Sequence, residues 1–272
     1  MKNFLQRLIT GILYVLVIVV SLFVHEYIFG LIFMLIMLAC LYEFYRLVGV
    51  SRSVTPYKYA GLGVATVFFM LSFLQAFTVF SFSILPFYII GILFLFVYEL
   101  FQKRGNNIHN LAYTLFGIIY VAMPFLLLPY MATYAGSFDA SAVVIMCMFV
   151  FIWSHDTFSY IWGNLLGKHQ LYPAVSPKKS IEGFVGGFIS TLALAFVAGH
   201  LFPHYMSLYE WIGGACIIVF SATVGDLLES SLKRAVAIKD SGSVLPGHGG
   251  FLDRFDSVIF TLPAFFAYLY IL

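Results

Sequence analysis

Charge is scarce in this chain. Fourteen Lys or Arg and twelve Asp or Glu are spread over 272 residues, 10% of the total. A soluble globular domain carries about 25% charged residues, so that class is excluded. The net charge of +2 lacks the basic excess of a nucleic-acid binder. Cysteine is equally sparse. Cys40, Cys147 and Cys216 lie inside apolar runs without CxxC spacing, which excludes a disulfide framework and a zinc ribbon. No separate soluble domain, long linker or low-complexity tract interrupts the sequence. What remains is 62% hydrophobic, with a mean hydropathy of +0.99, the composition of a polytopic helical membrane protein.

Apolar runs of near-bilayer length fall at about 8–24, 28–47, 59–75, 81–101, 111–131, 140–163, 184–201, 209–225 and 257–272. The expected fold is therefore all-α, a transmembrane helical bundle of about nine spans. It forms one integral membrane domain over 1–272, with N-terminal spans to residue 150 and the chemistry in 151–272. Lys2 and Arg7 precede an apolar run with no small-x-small cleavage site, so residues 1–24 are expected to stay as a first helix. The basic residues check the count. All fourteen Lys and Arg sit in the N-terminal tail or in every second connection, and the alternate connections carry none. The positive-inside rule puts the N-terminus and the charged loops in the cytoplasm. Glu43 with Arg46 and Glu99 with Lys103 have the spacing of ion pairs at helix ends. His25, His109, His169, His200 and His204 have no partner spacing and receive no role.

The scarce charge is unevenly placed. Nine of the 26 charged residues fall between Asp226 and Asp256, where even spacing would put about three. A polar knot between membrane-length runs is costly and marks a functional site. If span eight continues as a helix, Asp226, Ser230, Lys233 and Ala237 stack along one face, with Glu229 and Arg234 beside it. A carboxylate followed by cations suits a hard metal ion carrying phosphate. Gly242, Pro246, Gly247, Gly249 and Gly250 then force a turn with exposed amides. Asp253, Asp256 and Ser257 share a face at the start of span nine. In span six, Asp156, Ser159 and Tyr160 share a face next to His155. Ser176-Pro177 has the form of a helix start, which would put Lys178 and Lys179 in a first turn. Cations there oppose the helix dipole, so this stretch is read as an anion site, with phosphate as the anion.

As one ordered string these residues resemble a known family. Ser230, Lys233, Arg234, Lys239, Asp240, Pro246-Gly247-His248-Gly249-Gly250, Asp253, Arg254 and Asp256 fill the signature of the phosphatidate cytidylyltransferases, the CDP-diacylglycerol synthases. Asp156, Tyr160, Gly163, Gly167-Lys168 and Ser176-Pro177-Lys178-Lys179-Ser180 with Glu182-Gly183 are similar too. Ser180 stands where the family usually has Thr, and Thr157-Phe158 follow Asp156 where it often has small residues. The likeness is dense over 153–260 and general elsewhere, and the short chain looks like the bacterial branch.

The resemblance implies that CTP and phosphatidic acid give CDP-diacylglycerol and pyrophosphate with Mg²⁺, in phospholipid biosynthesis at the cell inner (cytoplasmic) membrane. A monovalent cation such as K⁺ beside Mg²⁺ is also a family trait. The family's metal-binding aspartates map onto Asp226 and Asp253, with Asp256 in support. Lys233, Arg234, Lys239 and Arg254 would hold triphosphate or lipid phosphate, and Asp240 joins that catalytic set. Lys178 and Lys179 would form a second phosphate clamp. Ser176, Ser180, Glu182 and Ser230 would support substrate, and His248, Gly249 and Gly250 would shape the nucleotide loop. Partners are CTP, phosphatidic acid and the bilayer, with no nucleic acid. A homodimer is one arrangement the sequence leaves open. The rival readings are a CTP-dependent lipid kinase and a membrane transporter. The D-G-x2-A-R string of the CDP-alcohol phosphotransferases is absent.

Overall fold

The computed structural model describes residues 2–50, 54–78, 83–102, 107–238, 241–242 and 249–272. Helices follow the apolar runs. They are α1 (Lys2–Phe23), α2 (Glu26–Val48), α3 (Lys58–Phe77), α4 (Leu85–Leu100), α5 (Asn107–Gly117), the short α6 (Met123–Leu126) and α7 (Leu128–Met131), α8 (Phe138–Leu166), α9 (Ile181–Leu201), α10 (Leu208–Ala235) and α11 (Leu252–Ile271). A two-stranded antiparallel hairpin, β1 (Gln170–Tyr172) and β2 (Ser176–Ser180), lies between α8 and α9. Among the described residues, seven helical stretches are long and apolar enough to cross a membrane, and Ile9–Phe23 and Leu85–Leu100 are shorter apolar helices. Those nine stretches coincide with the nine apolar runs, and the protein is a polytopic, all-α membrane protein.

Local chemistry sets the breaks. Pro124 and Pro129 donate no backbone hydrogen bond, and the run from 107 to 131 breaks accordingly. A π-helical turn at Ile118–Ala122 absorbs the mismatch, and Met123 N–H reaches Ile118 O there. Ser207 and Glu210 form a reciprocal capping box at the start of α10. Ser207 Oγ accepts from Glu210 N–H at 3.3 Å, and Glu210 Oε2 accepts from Ser207 N–H at 2.6 Å. His25, to which the sequence assigns nothing, caps α2 by accepting from Tyr27 N–H at 3.3 Å.

The chain divides into two compact units, Met1–Thr133 with Ala235–Phe255, and Tyr134–Arg234 with Asp256–Leu272. In the first, α2 is the core helix. Tyr45 is fully buried and donates to Thr114 O at 2.8 Å. Thr114 Oγ1 and Asn110 Oδ1 accept from Tyr57 and Thr55 N–H, so α5 holds the approach to α3. The expected Glu43–Arg46 pair does not form. Arg46 is exposed while Glu43 is buried, with its carboxylate turned to other donors described below. Lys103, the expected partner of Glu99, lies outside the described residues.

In the second unit, α8 and α9 pack closely because α9 opens with small residues. A Cβ on Gly183 would stand 2.6 Å from Ser159 O, and one on Gly187 2.1 Å from Ser159 Oγ. Gly183 and Gly187 are four apart, the spacing that lets two membrane helices touch backbone to backbone.

Candidate active site

The stretch expected to begin a helix at Ser176 is a strand instead. Ser176–Ser180 pairs with β1, Gln170 facing Ser180 and Tyr172 facing Ser176. The cap is Ser180, whose Oγ accepts from Gly183 N–H at 3.1 Å, so α9 starts at Ile181. Both serines have capping chemistry. Cross-strand pairing claims the residues after Ser176, and it cannot be seen in local sequence. The cations therefore lie on a strand rather than in a first helical turn, and the dipole argument for an anion site there falls. Glu182 closes the base of the hairpin. Its carboxylate accepts from Lys168 N–H at 3.0 Å and His169 N–H at 3.1 Å, and lies 2.6 Å from His169 Nδ1.

A cavity of about 690 Å³ opens among α8, the hairpin, α9 and α10. The wall from α8 carries His155, Asp156, Ser159, Tyr160, Gly163 and Asn164, so the predicted polar face of span six does point into one space. β2 contributes Ser176, Lys178, Lys179 and Ser180, and α10 contributes Thr223 and Asp226. His155 is buried and bridges α8 to α10, its Nε2 lying 3.0 Å from Thr223 Oγ1. Lys179 forms an ion pair with Asp226 at the cavity wall. The other Asp226 oxygen, Oδ1, accepts from Ser230 Oγ at 3.3 Å. The ammonium at Oδ2 marks a position where Asp226 accepts positive charge beside the cavity.

Helix α10 does run on into the polar knot, but only to Ala235. Ala237 has φ of 56°, in the left-handed region, so the expected stack stops short of it. Lys233 pairs with the fully buried Glu229 one turn back rather than with Asp226. Asp256 on α11 shares an electrostatic neighbourhood with Asp226, Glu229 and Asp156. Four carboxylates gathered this way call for cations, and Lys179 and Lys233 supply two. Ser230, Lys233, Arg234, Asp256 and Glu182 do not line the cavity.

The first unit holds the other half of the signature. Asp253, in the first turn of α11, accepts from Ser241 N–H at 3.0 Å and Gly250 N–H at 2.8 Å. Gly249 has φ of 82°, and a Cβ there would stand 2.5 Å from Asp253 Oδ2. Only glycine meets both conditions. Arg254 is exposed, and its backbone O lies 3.4 Å from the Tyr14 hydroxyl that donates to it. Lys239, Asp240, Pro246, Gly247 and His248 lie outside the described residues.

The donors suit a hard divalent cation, since Mg²⁺ takes oxygen ligands. Among the described residues no three His, Cys, Asp or Glu side chains are placed to hold a metal by themselves. Mg²⁺ needs only one or two carboxylates when phosphate oxygens and water complete its shell, so the residues present fit it.

Known proteins resemble this chain in sequence. The phosphatidate cytidylyltransferase of Staphylococcus haemolyticus (strain JCSC1435) is 38% identical over 166 residues, 61% of this chain and 62% of that protein. That of Staphylococcus aureus (strain COL) is 35% identical over the same share of both chains, and that of Staphylococcus saprophyticus 38%. The aligned stretch thus spans 62% of the length of these curated relatives. The cytidylyltransferase family matches residues 5–272. With a match running nearly end to end, the chain belongs to the cytidylyltransferase family.

Proposed function

We infer that the protein transfers a cytidylyl group from CTP to phosphatidic acid, giving CDP-diacylglycerol and pyrophosphate. The observation that carries this is the cavity in which Lys178, Lys179 and Asp226 meet, in a chain of this family. The reaction forms one bond, from a phosphate oxygen of phosphatidic acid to the α-phosphorus of CTP. It breaks the bond from that phosphorus to the oxygen shared with the β-phosphorus, and pyrophosphate leaves. The attacking phosphate monoester is already an anion near neutral pH, so no side chain has to remove a proton.

Positioning and charge are what the chain supplies. Lys178 and Lys179 offer two ammonium groups to phosphate oxygens at the cavity wall. Lys233, Arg234 and Arg254, with Lys239, are assigned to the remaining phosphate charge on the strength of the signature. Asp226 and Asp253 are assigned to Mg²⁺ on the same ground, with K⁺ as a second cation. Bound there, Mg²⁺ would neutralise charge developing on the phosphate oxygens. A cytoplasmic face of the inner membrane supports both substrates, because CTP is soluble and the lipid phosphate lies at headgroup depth.

The test is pyrophosphate release by the reconstituted protein, which should need both CTP and phosphatidic acid. A transporter would move a solute without making lipid product. Lys178→Gln and Lys179→Gln should each lower kcat/KM about tenfold to a hundredfold, the range for a lost hydrogen bond to a charged group. Unchanged kinetics would reduce the two lysines to topological loop charges.

A further inference from the structure

Glu43 is only 2% exposed. Its Oε2 accepts from Ser241 Oγ at 3.2 Å and from Leu252 N–H at 2.9 Å, donors 198 and 209 positions away in sequence. Oε1 makes no hydrogen bond among the described residues and lies against Gly242, where a Cβ would stand 2.7 Å from it. A Cβ on Gly250 would stand 2.2 Å from Oε2 and 2.6 Å from Ser241 Oγ. Gly250 of the signature and Gly242 just before it thus both lie close against this one carboxylate.

A buried carboxylate is costly, and an apolar side chain of similar volume would fill the space more cheaply. What an apolar residue could not do is hold the two donors. Ser241 and Leu252 flank the glycine-rich stretch, and the N–H groups of Ser241 and Gly250 in turn grip Asp253. Glu43 itself sits on a stiff element, between the fully buried Leu41 on one side and Phe44 and Tyr45 on the other.

We propose that Glu43 is a positioning residue for the transfer reaction: its buried carboxylate fixes Ser241 and Leu252, and through them the direction of the Asp253 carboxylate. The inference rests on the assignment of Asp253 to the transfer site. A reacting geometry held to a fraction of an ångström requires a supporting shell of this kind.

The test compares Glu43→Ala, Glu43→Gln and Ser241→Ala in the full chain, reconstituted in lipid nanodiscs. Hydrogen exchange is followed at the Ser241, Gly250 and Leu252 amides. In Glu43→Ala exchange at these amides should accelerate about tenfold or more, while that of α8 and α9 stays as in wild type. kcat should fall about tenfold or more, with KM for CTP moving less than about threefold, the signature of lost transition-state geometry. Glu43→Gln keeps the shape and an acceptor oxygen, and should restore most of the protection and turnover. Ser241→Ala removes one donor with little change in volume, and should show a smaller acceleration even if Glu43→Ala does not fold. Wild-type exchange in either alanine variant would overturn the proposal, as would a Glu43→Ala defect confined to KM. A wild-type protein that released no pyrophosphate would refute the proposed activity instead. The exchange measurement would still decide whether Glu43 holds the segment.

Discussion

Asp226→Asn should reduce pyrophosphate release about a thousandfold, the scale of losing one preorganised electrostatic group in a closed site. Asp226 faces the cavity, with Lys179 on one carboxylate oxygen and Ser230 on the other. Asn keeps the shape and one acceptor oxygen but removes the charge. It would bind a divalent cation poorly and leave Lys179 without its counter-charge. Stability should barely change, because both side chains of the pair keep roughly a quarter to a third of their surface in solvent (31% for Lys179, 26% for Asp226). A pair that exposed contributes about 1 kcal/mol or less. Thermal unfolding of the purified variant next to its turnover separates the two effects. A folded Asp226→Asn protein with more than about a tenth of wild-type turnover would remove Asp226 from the site.

Gly187→Val should damage fold and activity together. The first added carbon would meet Ser159 Oγ at 2.1 Å, and His155 Nδ1 and His155 O at 2.9 Å. A hydroxyl can rotate away, but the backbone oxygen of a buried helix cannot. Separating α8 from α9 would cost about 1–3 kcal/mol by overpacking. It would also displace His155 and Ser159, which line the cavity, and break the link from His155 to Thr223. The expected result is a lower unfolding temperature with turnover down more than about tenfold. Gly63→Ala is the matched control. A Cβ there meets nothing within 4 Å, so the variant should behave as wild type. A Gly187→Val protein as stable and active as Gly63→Ala would show that α8 and α9 need no such close approach.

Periodic and compositional features carried well from sequence to structure, and features made by distant partners did not. Each of the nine apolar runs coincides with an apolar helical stretch among the described residues, because burial in lipid acts on each run alone. The polar face of span six lines a cavity because helical spacing already fixes which side chains share a face. Ser176 reads locally as a helix start, but pairing with Gln170–Tyr172 makes it a strand residue and leaves Ser180 as the cap. Glu43 looked like half of a helix-end ion pair because Arg46 is the nearest cation in sequence. Its true partners are Ser241 and Leu252, which no local pattern can find. The bond from His155 to Thr223 was hidden for the same reason.

The most direct measurement follows each phosphorus of CTP through the purified, lipid-reconstituted protein. With phosphatidic acid present, label at the α-phosphorus should appear in lipid as CDP-diacylglycerol, and label at the γ-phosphorus should appear in pyrophosphate, one for one. Label from the γ-position entering the lipid, with CDP released, would mean phosphorylation rather than cytidylyl transfer. A lipid fraction that stays unlabelled from either position would contradict the proposed reaction altogether.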